Sequence, residues 1–371
     1  MDKKQIITRL KELRREDPSF MDGKIISSVS TEPLDIALEA FRIFSDTNAL
    51  DTYIFPSIQK IEKDIIKWFG ILLNNPQISG YITTGGTEAN MAALYAAKKI
   101  YPKRKELVVP ESAHYSIQRA ADLMNLRVRW TTLDENFKAD IDSIKSEINK
   151  DTLAVIATAG TSSLGIVDPI EEINDLCEDI FFHVDAAFGG FVLPFLGRRK
   201  IDFTLVNLDS LTIDPHKMGL APIPAGSILF KDNSYLGRLR ISPPYLPVRT
   251  YTLSGTRSGG SIAATWATLM YFDFDGYKKI VEECMENTKF LCNELKNIPH
   301  ADLVTDPELN IVGIKIPNAE KVAEELQKMN WKIAVNRDMG CIRVAVMPHV
   351  TREVISRFIE ELGETLKKFC G

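Results

Sequence analysis

Two charged residues stand at the ends of apolar runs in this chain of 371 residues. Asp185 closes the run "IFFHVD", and two alanines, a phenylalanine and two glycines follow it. A carboxylate at the end of a buried strand is costly unless it is paired, although taken alone it could cap a helix or complete a structural ion pair. Lys217 follows "SLTIDPH" and precedes "MGLAPIPAGSILF", which is not the context of a typical surface lysine. A lysine in a crowded, partly dry site suits covalent bonding to an aldehyde.

A glycine pair and a histidine extend this set. In "TTGGTEAN", Gly85 and Gly86 permit a tight turn, and Thr87 opens a helix whose first N–H groups favour an anion. The alternative is a plain strand–helix turn capped by threonine. The pattern is neither GxGxxG nor GxxxxGK[ST], which disfavours dinucleotides and nucleoside triphosphates. His114 in "ESAHYSI" could stack on a flat ring, although a lone loop histidine is more often incidental.

One ligand accounts for all four features, because it carries a phosphate, a pyridine nitrogen, an aldehyde carbon and a flat face. That ligand is pyridoxal 5′-phosphate, or PLP. The helix N-terminus would meet the phosphate and Asp185 the protonated pyridine nitrogen. Lys217 would bond to the aldehyde carbon, and His114 would cover the ring. The sequence therefore predicts a PLP site.

The elements that must position these residues are short strands alternating with helices. From residue 78 onward, the segments that read as strands are "ISGYITTGG", "ELVVP", "RVRWTTL", "TLAVIATAG", "IFFHVDAA", "LDSLTIDPH" and "GSILFK". Helical patterns lie between several of them, so we predict an α/β fold with a mostly parallel sheet covered on both faces. Ligands bind at the carboxyl ends of such strands, where the residues above lie.

Three regions are expected along the chain. We predict an N-terminal arm over residues 1–50, a large α/β domain over residues 51–270 and a small α+β domain over residues 271–371. The last boundary is placed in the long helical stretch that begins "SIAATWATLM", because a different pattern of strands and helices follows it.

Composition limits the partners. The net charge is −5 with mixed signs along the chain, which gives no sign of nucleic-acid binding. The five cysteines form no CxxC pair, so free thiols and a cytoplasmic location are expected. We see neither a signal-peptide pattern nor an apolar run long enough to span a membrane. Small molecules and further copies of the chain are the expected partners.

The chain resembles the group II pyridoxal-phosphate-dependent amino acid decarboxylases, most closely the archaeal L-tyrosine/L-aspartate decarboxylases. The resemblance is carried in order by "GGTEANMAAL", "PESAHYS", "ATAGTSSLGIVDPIEEI", "HVDAAFGGFVLPF", "DSLTIDPHKMG", "PIPAGSILFKD", "PYLPVRTYTLSGTRSGG" and "IRVAVMPHVTRE". It implies a fold-type I PLP-dependent enzyme: a mostly parallel central sheet covered by helices, with a smaller C-terminal α+β domain. It also implies a homodimer with shared active sites.

The resemblance further implies a role for each matching residue. It makes Lys217 the lysine that bonds to the cofactor, Asp185 the partner of the pyridine nitrogen and His114 the histidine on the ring. It also places Ala187 on the opposite face of the ring, Gly86 and Thr87 at the turn that binds the phosphate, and Thr161 near the ring oxygen. Two more residues are expected either at the phosphate or just behind the residues that contact the cofactor: His216 and Ser210.

Three more implied roles concern the neighbouring subunit and the substrate. Thr256 in "SGTRSGG" would reach the phosphate of the partner subunit. Arg343 would lie near a substrate carboxylate. Tyr245 in "SPPYLP" would sit on a mobile loop and protonate the product carbon.

One segment departs from the family pattern. Methanogen relatives tend to carry a Gly-Asp-Pro-Gly-like run where this chain has "ALDTYIFPS", residues 49–57. Tyr53 is expected to narrow the substrate pocket. This favours L-aspartate, which gives β-alanine for coenzyme A, over L-tyrosine, which gives tyramine. Glutamate and other aromatic amino acids stay open.

Two other classes of enzyme could use some of these residues. Another PLP lyase of the same fold, aldol-type or a desulfurase, would keep the cofactor, but no cysteine sits in an evident catalytic loop. A metal-dependent hydrolase could draw on two i, i+2 pairs, His183 with Asp185 and Asp214 with His216. That alternative leaves "GGTEAN" and Lys217 unexplained.

Overall fold

The computed structural model describes residues 1–197, 200–244 and 246–370, which fall into two compact units. The larger unit comprises residues 33–283 with 307–309. The smaller unit comprises residues 1–32, residues 284–306 and the chain from residue 310 onward. The domain boundaries expected at residues 50 and 270 remain a prediction, because a compact unit need not be a domain that folds by itself.

The structure contains the following helices and strands in chain order. The helices are α1 (Lys3–Arg14), α2 (Asp35–Ile43), α3 (Pro56–Leu72), α4 (Gly86–Ile100), α5 (Ser116–Met124), α6 (Ile141–Glu147), α7 (Ile170–Leu176), α8 (Leu193–Leu196), α9 (Asn233–Leu239), α10 (Gly259–Leu295), α11 (Ala319–Lys328) and α12 (Arg352–Cys370). The strands are β1 (Ser79–Thr83), β2 (Glu106–Pro110), β3 (Arg127–Thr131), β4 (Thr152–Thr158), β5 (Phe181–Asp185), β6 (Leu208–Ile213), β7 (Gly226–Phe230), β8 (Asp302–Leu303), β9 (Ile311–Lys315), β10 (Ala334–Asn336) and β11 (Cys341–Ala345).

A seven-stranded sheet forms the centre of the larger unit. Its spatial order is β1-β7-β6-β5-β4-β2-β3, and β7 runs antiparallel to both of its neighbours. The other six strands point the same way, since the remaining pairings are parallel. The predicted mostly parallel sheet is therefore confirmed. The carboxyl ends of these six strands meet at one edge, which is where a ligand site is expected.

Burial explains why these segments form a covered sheet. Strands β1, β2, β4, β5 and β7 are buried along their whole length, as strands of a sheet with helices on both faces must be. Helix α4 packs on the sheet through small side chains, which allow a close approach: Ala89, Ala92, Ala93, Ala96 and Ala97. Leu107, Ile156 and Phe181 are among the sheet residues in the same core.

The smaller unit has its own sheet and core. Its four strands lie in the order β10-β11-β9-β8, and every described pairing in it is antiparallel. Residues of α11 and α12 join this core with the fully buried Trp331. In contrast, α1 has no buried residue, although Asp2 and Gln5 form a capping box at its start. The smaller α+β unit expected near the C-terminus is thus present.

Helix α10 is interrupted at Asp273, whose φ of 48° and ψ of −167° are not helical. Among the helices that the structure describes, none is both long and apolar enough to cross a membrane.

Candidate active site

The carboxyl ends of five parallel strands carry most of the predicted site residues. Gly86 follows β1, His114 follows β2 and Thr161 follows β4. Asp185 is the last residue of β5, and Lys217 comes four residues after β6 ends. Because these strands point the same way, the sheet brings residues far apart in the chain to one edge.

The predicted phosphate turn requires both of its glycines. Gly85 has a φ of 154°, which residues with a side chain rarely adopt. A Cβ on Gly86 would lie 2.9 Å from Asp214 Oδ2 and 3.3 Å from the Cβ of Ala187, and a Cβ on Gly85 would lie 3.2 Å from His216 Cε1. The turn therefore runs closely past three side chains at the ends of β5 and β6. Thr87 lies half-buried in the first turn of α4.

Glu88 ties this turn to the segment that carries Thr256. Glu88 Oε2 accepts hydrogen bonds from the backbone nitrogen and the hydroxyl of Thr84, both at 2.8 Å. Its Oε1 accepts from the hydroxyl of Ser254 at 2.5 Å. Three residues further on, Arg257 is buried in an ion pair with Glu62. Thr256 itself is exposed on the segment fastened at these two points.

Lys217 is paired with a buried carboxylate. Its Nζ lies 3.2 Å from Asp214 Oδ2, and His216 Nε2 lies 3.7 Å from the same oxygen. Burial lowers the pKa of His216, although the neighbouring Asp214 opposes this. Asp214 Oδ1 is buried and has no hydrogen-bond partner within the described parts of the chain. Asp214 therefore keeps one oxygen unused by the described protein atoms next to Lys217 and the glycine turn.

Asp185 is held by two donors. Its Oδ1 accepts from the backbone nitrogen of Ala187 at 3.1 Å. Its Oδ2 accepts from Asn90 Nδ2 at 2.7 Å. Asp185 is 6% exposed, whereas Asn90 is completely buried. The carboxylate is thus fixed in orientation at the end of β5.

His114 is fixed through its Nδ1 atom. This nitrogen accepts from the backbone N–H of Ser116 at 3.3 Å and lies 2.9 Å from the hydroxyl oxygen of Ser116. Burial lowers the pKa of His114, so the ring is neutral at neutral pH. Because Nδ1 is an acceptor, the single ring proton lies on Nε2.

His183 and Ser210 form a layer behind Asp185. The hydroxyl oxygen of Ser210 lies 2.8 Å from His183 Nδ1, and His183 Nε2 lies 3.0 Å from Asn90 Oδ1. Burial lowers the pKa of His183 to about 4. Ser210 was predicted either at the phosphate or behind the residues that contact the cofactor, and this geometry favours the second position.

The metal-site alternative lacks geometric support. Both ring nitrogens of His183 are used inside the protein. Over residues 1–197, 200–244 and 246–370, no three His, Cys, Asp or Glu side chains are arranged to hold a metal ion.

Three of the cysteines that the structure describes do not provide the activated thiol that a desulfurase needs. Burial raises the pKa of the Cys177 and Cys341 thiols, and it raises that of Cys292 to about 11. A nucleophilic cysteine needs the opposite shift, since the thiolate is the reactive form.

Three further predicted residues differ in their burial and in their hydrogen-bond partners. Thr161 is buried, and its hydroxyl oxygen accepts from the backbone nitrogen of Ile166 at 3.1 Å. Tyr53 is 72% exposed, so the described chain does not enclose it. Arg343 belongs to the smaller unit, where its Nη2 donates to the carbonyl oxygen of Ser27 at 2.7 Å and burial lowers its pKa. Tyr245 lies outside the described residues.

Three residues of the site were not predicted from the sequence: Asn90, Glu88 and Ser116. A signal for Asn90 was present: it lies one helical turn after Gly86 and is a polar residue on the alanine-rich face of α4. A polar side chain on a face that packs against a sheet needs a buried partner, and here that partner is Asp185.

Comparisons with known proteins give relatives along nearly the whole chain. Residues 43–316 match the model of the pyridoxal-dependent decarboxylase conserved domain. The chain is 40% identical over 377 residues to the L-aspartate/L-glutamate decarboxylase of Pyrococcus horikoshii, which covers 99% of this chain and 98% of that protein. It is also 40% identical over 355 residues to the probable L-tyrosine/L-aspartate decarboxylase of Methanothermobacter thermautotrophicus, covering 93% and 98% respectively.

Two solved structures share the fold. Sphingosine-1-phosphate lyase of Burkholderia pseudomallei gives a TM-score of 0.91 at 24% identity, covering 99% of this chain and 91% of that one. Glutamate decarboxylase of Lactobacillus brevis gives a TM-score of 0.91 at 19% identity, covering 99% and 93%. The fold-type I architecture is therefore confirmed.

The residues present fit PLP, the cofactor that the matched family implies. The backbone at Gly85 and Gly86 passes so close to its neighbours that a Cβ would fill the space beside it. The N–H groups of α4 begin there, which suits a phosphate. A buried carboxylate and a lysine follow neighbouring strands. This donor set matches the phosphate, the pyridine nitrogen and the aldehyde of PLP.

Proposed function

The chain belongs to the pyridoxal-dependent decarboxylase family and is a PLP-dependent amino acid decarboxylase, and on that premise we propose that its main reaction is the α-decarboxylation of L-aspartate to β-alanine. The observation that carries the substrate is the 40% identity, over nearly the full length of both chains, to a protein named L-aspartate/L-glutamate decarboxylase. β-Alanine made here would serve as a precursor of coenzyme A.

We assign cofactor binding to the residues gathered at the strand ends. Lys217 would hold the aldehyde carbon through its Nζ atom, and Asp185 would hold the proton on the pyridine nitrogen. His114 and Ala187 would cover the two ring faces. The phosphate would lie at the start of α4, with Gly86, Thr87 and His216 around it and Thr256 reaching it from the partner subunit. Thr161 would lie near the ring oxygen.

When bound, PLP supplies an electron-accepting ring for the electron pair of the breaking Cα–carboxylate bond. Asp185 supports this chemistry because its negative charge, fixed by Asn90 and by the backbone of Ala187, favours a protonated pyridine nitrogen. Loss of carbon dioxide would leave Cα in need of a proton. Tyr245 is our candidate for that donor, since a phenol on a closing loop can deliver a proton where water is excluded.

Substrate recognition is assigned to Arg343 and Tyr53. Arg343 is half-buried in the smaller unit, and a guanidinium can bind a carboxylate through two parallel hydrogen bonds, which suits it to a substrate carboxylate. Arg343 would pair with the side-chain carboxylate of L-aspartate, although pairing with the α-carboxylate alone is the simpler alternative. Tyr53 would narrow the pocket from an exposed position on the larger unit.

L-Tyrosine is the second candidate substrate. Its support is the 40% identity to a probable L-tyrosine/L-aspartate decarboxylase. The product would then be tyramine.

Steady-state kinetics with L-aspartate, L-tyrosine and L-glutamate test this proposal. We expect carbon dioxide and β-alanine in equal amounts, and a higher kcat/KM for L-aspartate than for the others. A tenfold preference for L-tyrosine, about 1.4 kcal/mol of transition-state free energy, would contradict it.

An arginine variant tests the assignment of Arg343. If Arg343 pairs with the substrate side chain, Arg343→Leu lowers kcat/KM for L-aspartate more than for L-tyrosine. Arg337→Leu is the matched control, because Arg337 lies in the same unit with 84% of its side chain exposed. Equal losses for both substrates would place Arg343 at the α-carboxylate instead.

A further inference from the structure

The side chain of Asn90 uses its full hydrogen-bonding capacity inside the larger unit. Its Nδ2 donates to Asp185 Oδ2 at 2.7 Å and to Ser116 Oγ at 2.9 Å. Its Oδ1 lies 2.7 Å from Thr212 Oγ1 and 3.0 Å from His183 Nε2. A carboxamide offers two donors and two acceptor positions, so all four are engaged.

The orientation of this carboxamide follows from its partners. An ionised carboxylate is an acceptor only, so the atom that faces Asp185 must be the amide nitrogen. Oδ1 therefore faces Thr212 and His183, and both must donate to it. His183 can do so in the neutral form that burial favours, with Nε2 protonated and Nδ1 accepting from the hydroxyl of Ser210.

The same carboxamide is also connected to His114 through hydrogen bonds. Asn90 Nδ2 donates to Ser116 Oγ, so the Ser116 hydroxyl proton is left to bond to His114 Nδ1, 2.9 Å away. One buried side chain is thus bonded directly to Asp185 and, through one hydroxyl, to His114.

We infer that Asn90 is a positioning residue that fixes Asp185 and His114 together, so that the group on the cofactor's pyridine nitrogen and the group on its ring face form one rigid unit. The inference rests on the proposed role of Asp185. Asn90 acts through these residues and does not itself touch the reacting atoms.

The bond from Asn90 has a chemical consequence at the pyridine nitrogen. A hydrogen bond donated to a carboxylate stabilises its ionised form. Without the Asn90 donor, Asp185 Oδ2 would lose the hydrogen bond that holds it in place, and the carboxylate would pair less well with a protonated pyridine nitrogen. The protonated ring would then be less favoured and would accept electrons less well.

The test compares holoenzymes of the wild type, Asn90→Ala and Asn90→Leu. Alanine suits the helix and leaves the packing unstrained, and leucine fills the space and keeps water out. The readouts are the ¹⁵N NMR signal of cofactor labelled at its pyridine nitrogen, together with kcat and KM. We expect the signal to move towards the unprotonated position and kcat to fall about tenfold or more, with KM changed less than about threefold.

Asn174→Ala is the matched control. Asn174 is also a buried asparagine of the larger unit, and it bonds to the backbone nitrogen of Asn207 at 2.9 Å. Its loss should lower the unfolding temperature while leaving the ¹⁵N signal in place. This separates loss of stability from an effect on the cofactor.

Asp185→Asn, measured in parallel, separates the two claims. If it moves the ¹⁵N signal and neither Asn90 variant does, the inference about Asn90 is overturned and the role of Asp185 stands. If it also leaves the signal in place, the proposed role of Asp185 has itself failed. Should Asn90→Leu not fold, an unmoved signal in Asn90→Ala is sufficient to overturn the inference.

Discussion

Asp185 carries the negative charge on which the proposed electron-accepting role of the pyridine ring depends. Replacing it by asparagine removes that charge and preserves the shape of the side chain. We expect Asp185→Asn to lose about 2 to 3 kcal/mol of transition-state stabilisation, which is about a hundredfold in kcat. The measurement is kcat on L-aspartate with the cofactor loaded, and loading is checked by its absorbance. A kcat near that of the wild type in the loaded variant would contradict the assignment.

His183 should make the protein less stable in acid. Its pKa is about 4 in the folded chain against an ordinary value of 6.5, so the unfolded chain binds the proton first as the pH falls. Keeping His183 neutral therefore costs the folded chain no stability above pH 6.5. Between pH 6.5 and 4 the free energy of unfolding falls progressively. At about pH 5 the loss is about 2 kcal/mol.

Urea unfolding of the wild type and His183→Gln at about pH 7.5 and about pH 5 tests this expectation. Glutamine offers an amide in place of the imidazole and does not titrate. The free energy of unfolding should fall more between the two pH values in the wild type than in the variant. Parallel losses in both proteins would show that other groups cause the acid sensitivity.

Individual residues differed in how far the sequence could identify them. Lys217, Asp185 and His114 were open to prediction because each follows an apolar run and a single ligand explains all three. The partners of Asn90 lie between 26 and 122 residues away in the chain. Local patterns carry no information on such contacts, so its place behind Asp185 emerged only from the fold.

At the scale of elements, the start of α4 is the part most sensitive to added volume. A Cβ on Gly86 would meet Asp214 Oδ2 at 2.9 Å and Ala187 Cβ at 3.3 Å. Gly86→Ala should therefore displace the turn and weaken cofactor binding about tenfold, or about 1.4 kcal/mol. Cofactor titration followed by fluorescence measures this change.

Gly237→Ala is the control for that experiment. Gly237 lies in α9, where a Cβ would meet no described atom within 4 Å. Its dissociation constant for PLP should stay within about twofold of the wild type, since alanine favours a helix and nothing is displaced. Unchanged PLP binding in Gly86→Ala would show that the phosphate does not rely on this turn.

The sequence predicted the seven segments of the larger sheet because each is a short apolar run of β-forming residues. The reversed direction of β7 was not predicted. No helix lies between β6 and β7, and a strand that returns without a crossover helix pairs antiparallel. The break in α10 at Asp273 was also missed, because a single residue with positive φ leaves the helical periodicity around it intact.

At the scale of the whole molecule, we predict a homodimer in which each active site uses both subunits. Thr256 is exposed on a segment that is itself firmly held, as expected for a residue that reaches a partner. The resemblance also implies that the loop around Tyr245 serves the site of the partner subunit, so Lys217→Ala and Tyr245→Phe subunits should each be impaired alone. Random exchange between them should restore about a quarter of the sites, since two of the four pairings each contain one intact site.

Activity of the mixed subunits over time measures this restoration, and sedimentation reports the oligomeric state. Mixing each variant with itself is the control. A fully active monomer at the assay concentration would rule out shared sites.

The most direct test of the account is to find the lysine that bonds to the cofactor. Borohydride reduction of the holoenzyme makes the bond between PLP and its lysine permanent, and mass spectrometry of the digested protein then locates it. The account predicts the label on the peptide that contains Lys217 and neither label nor turnover in Lys217→Ala. A label on any other lysine would contradict the site described here.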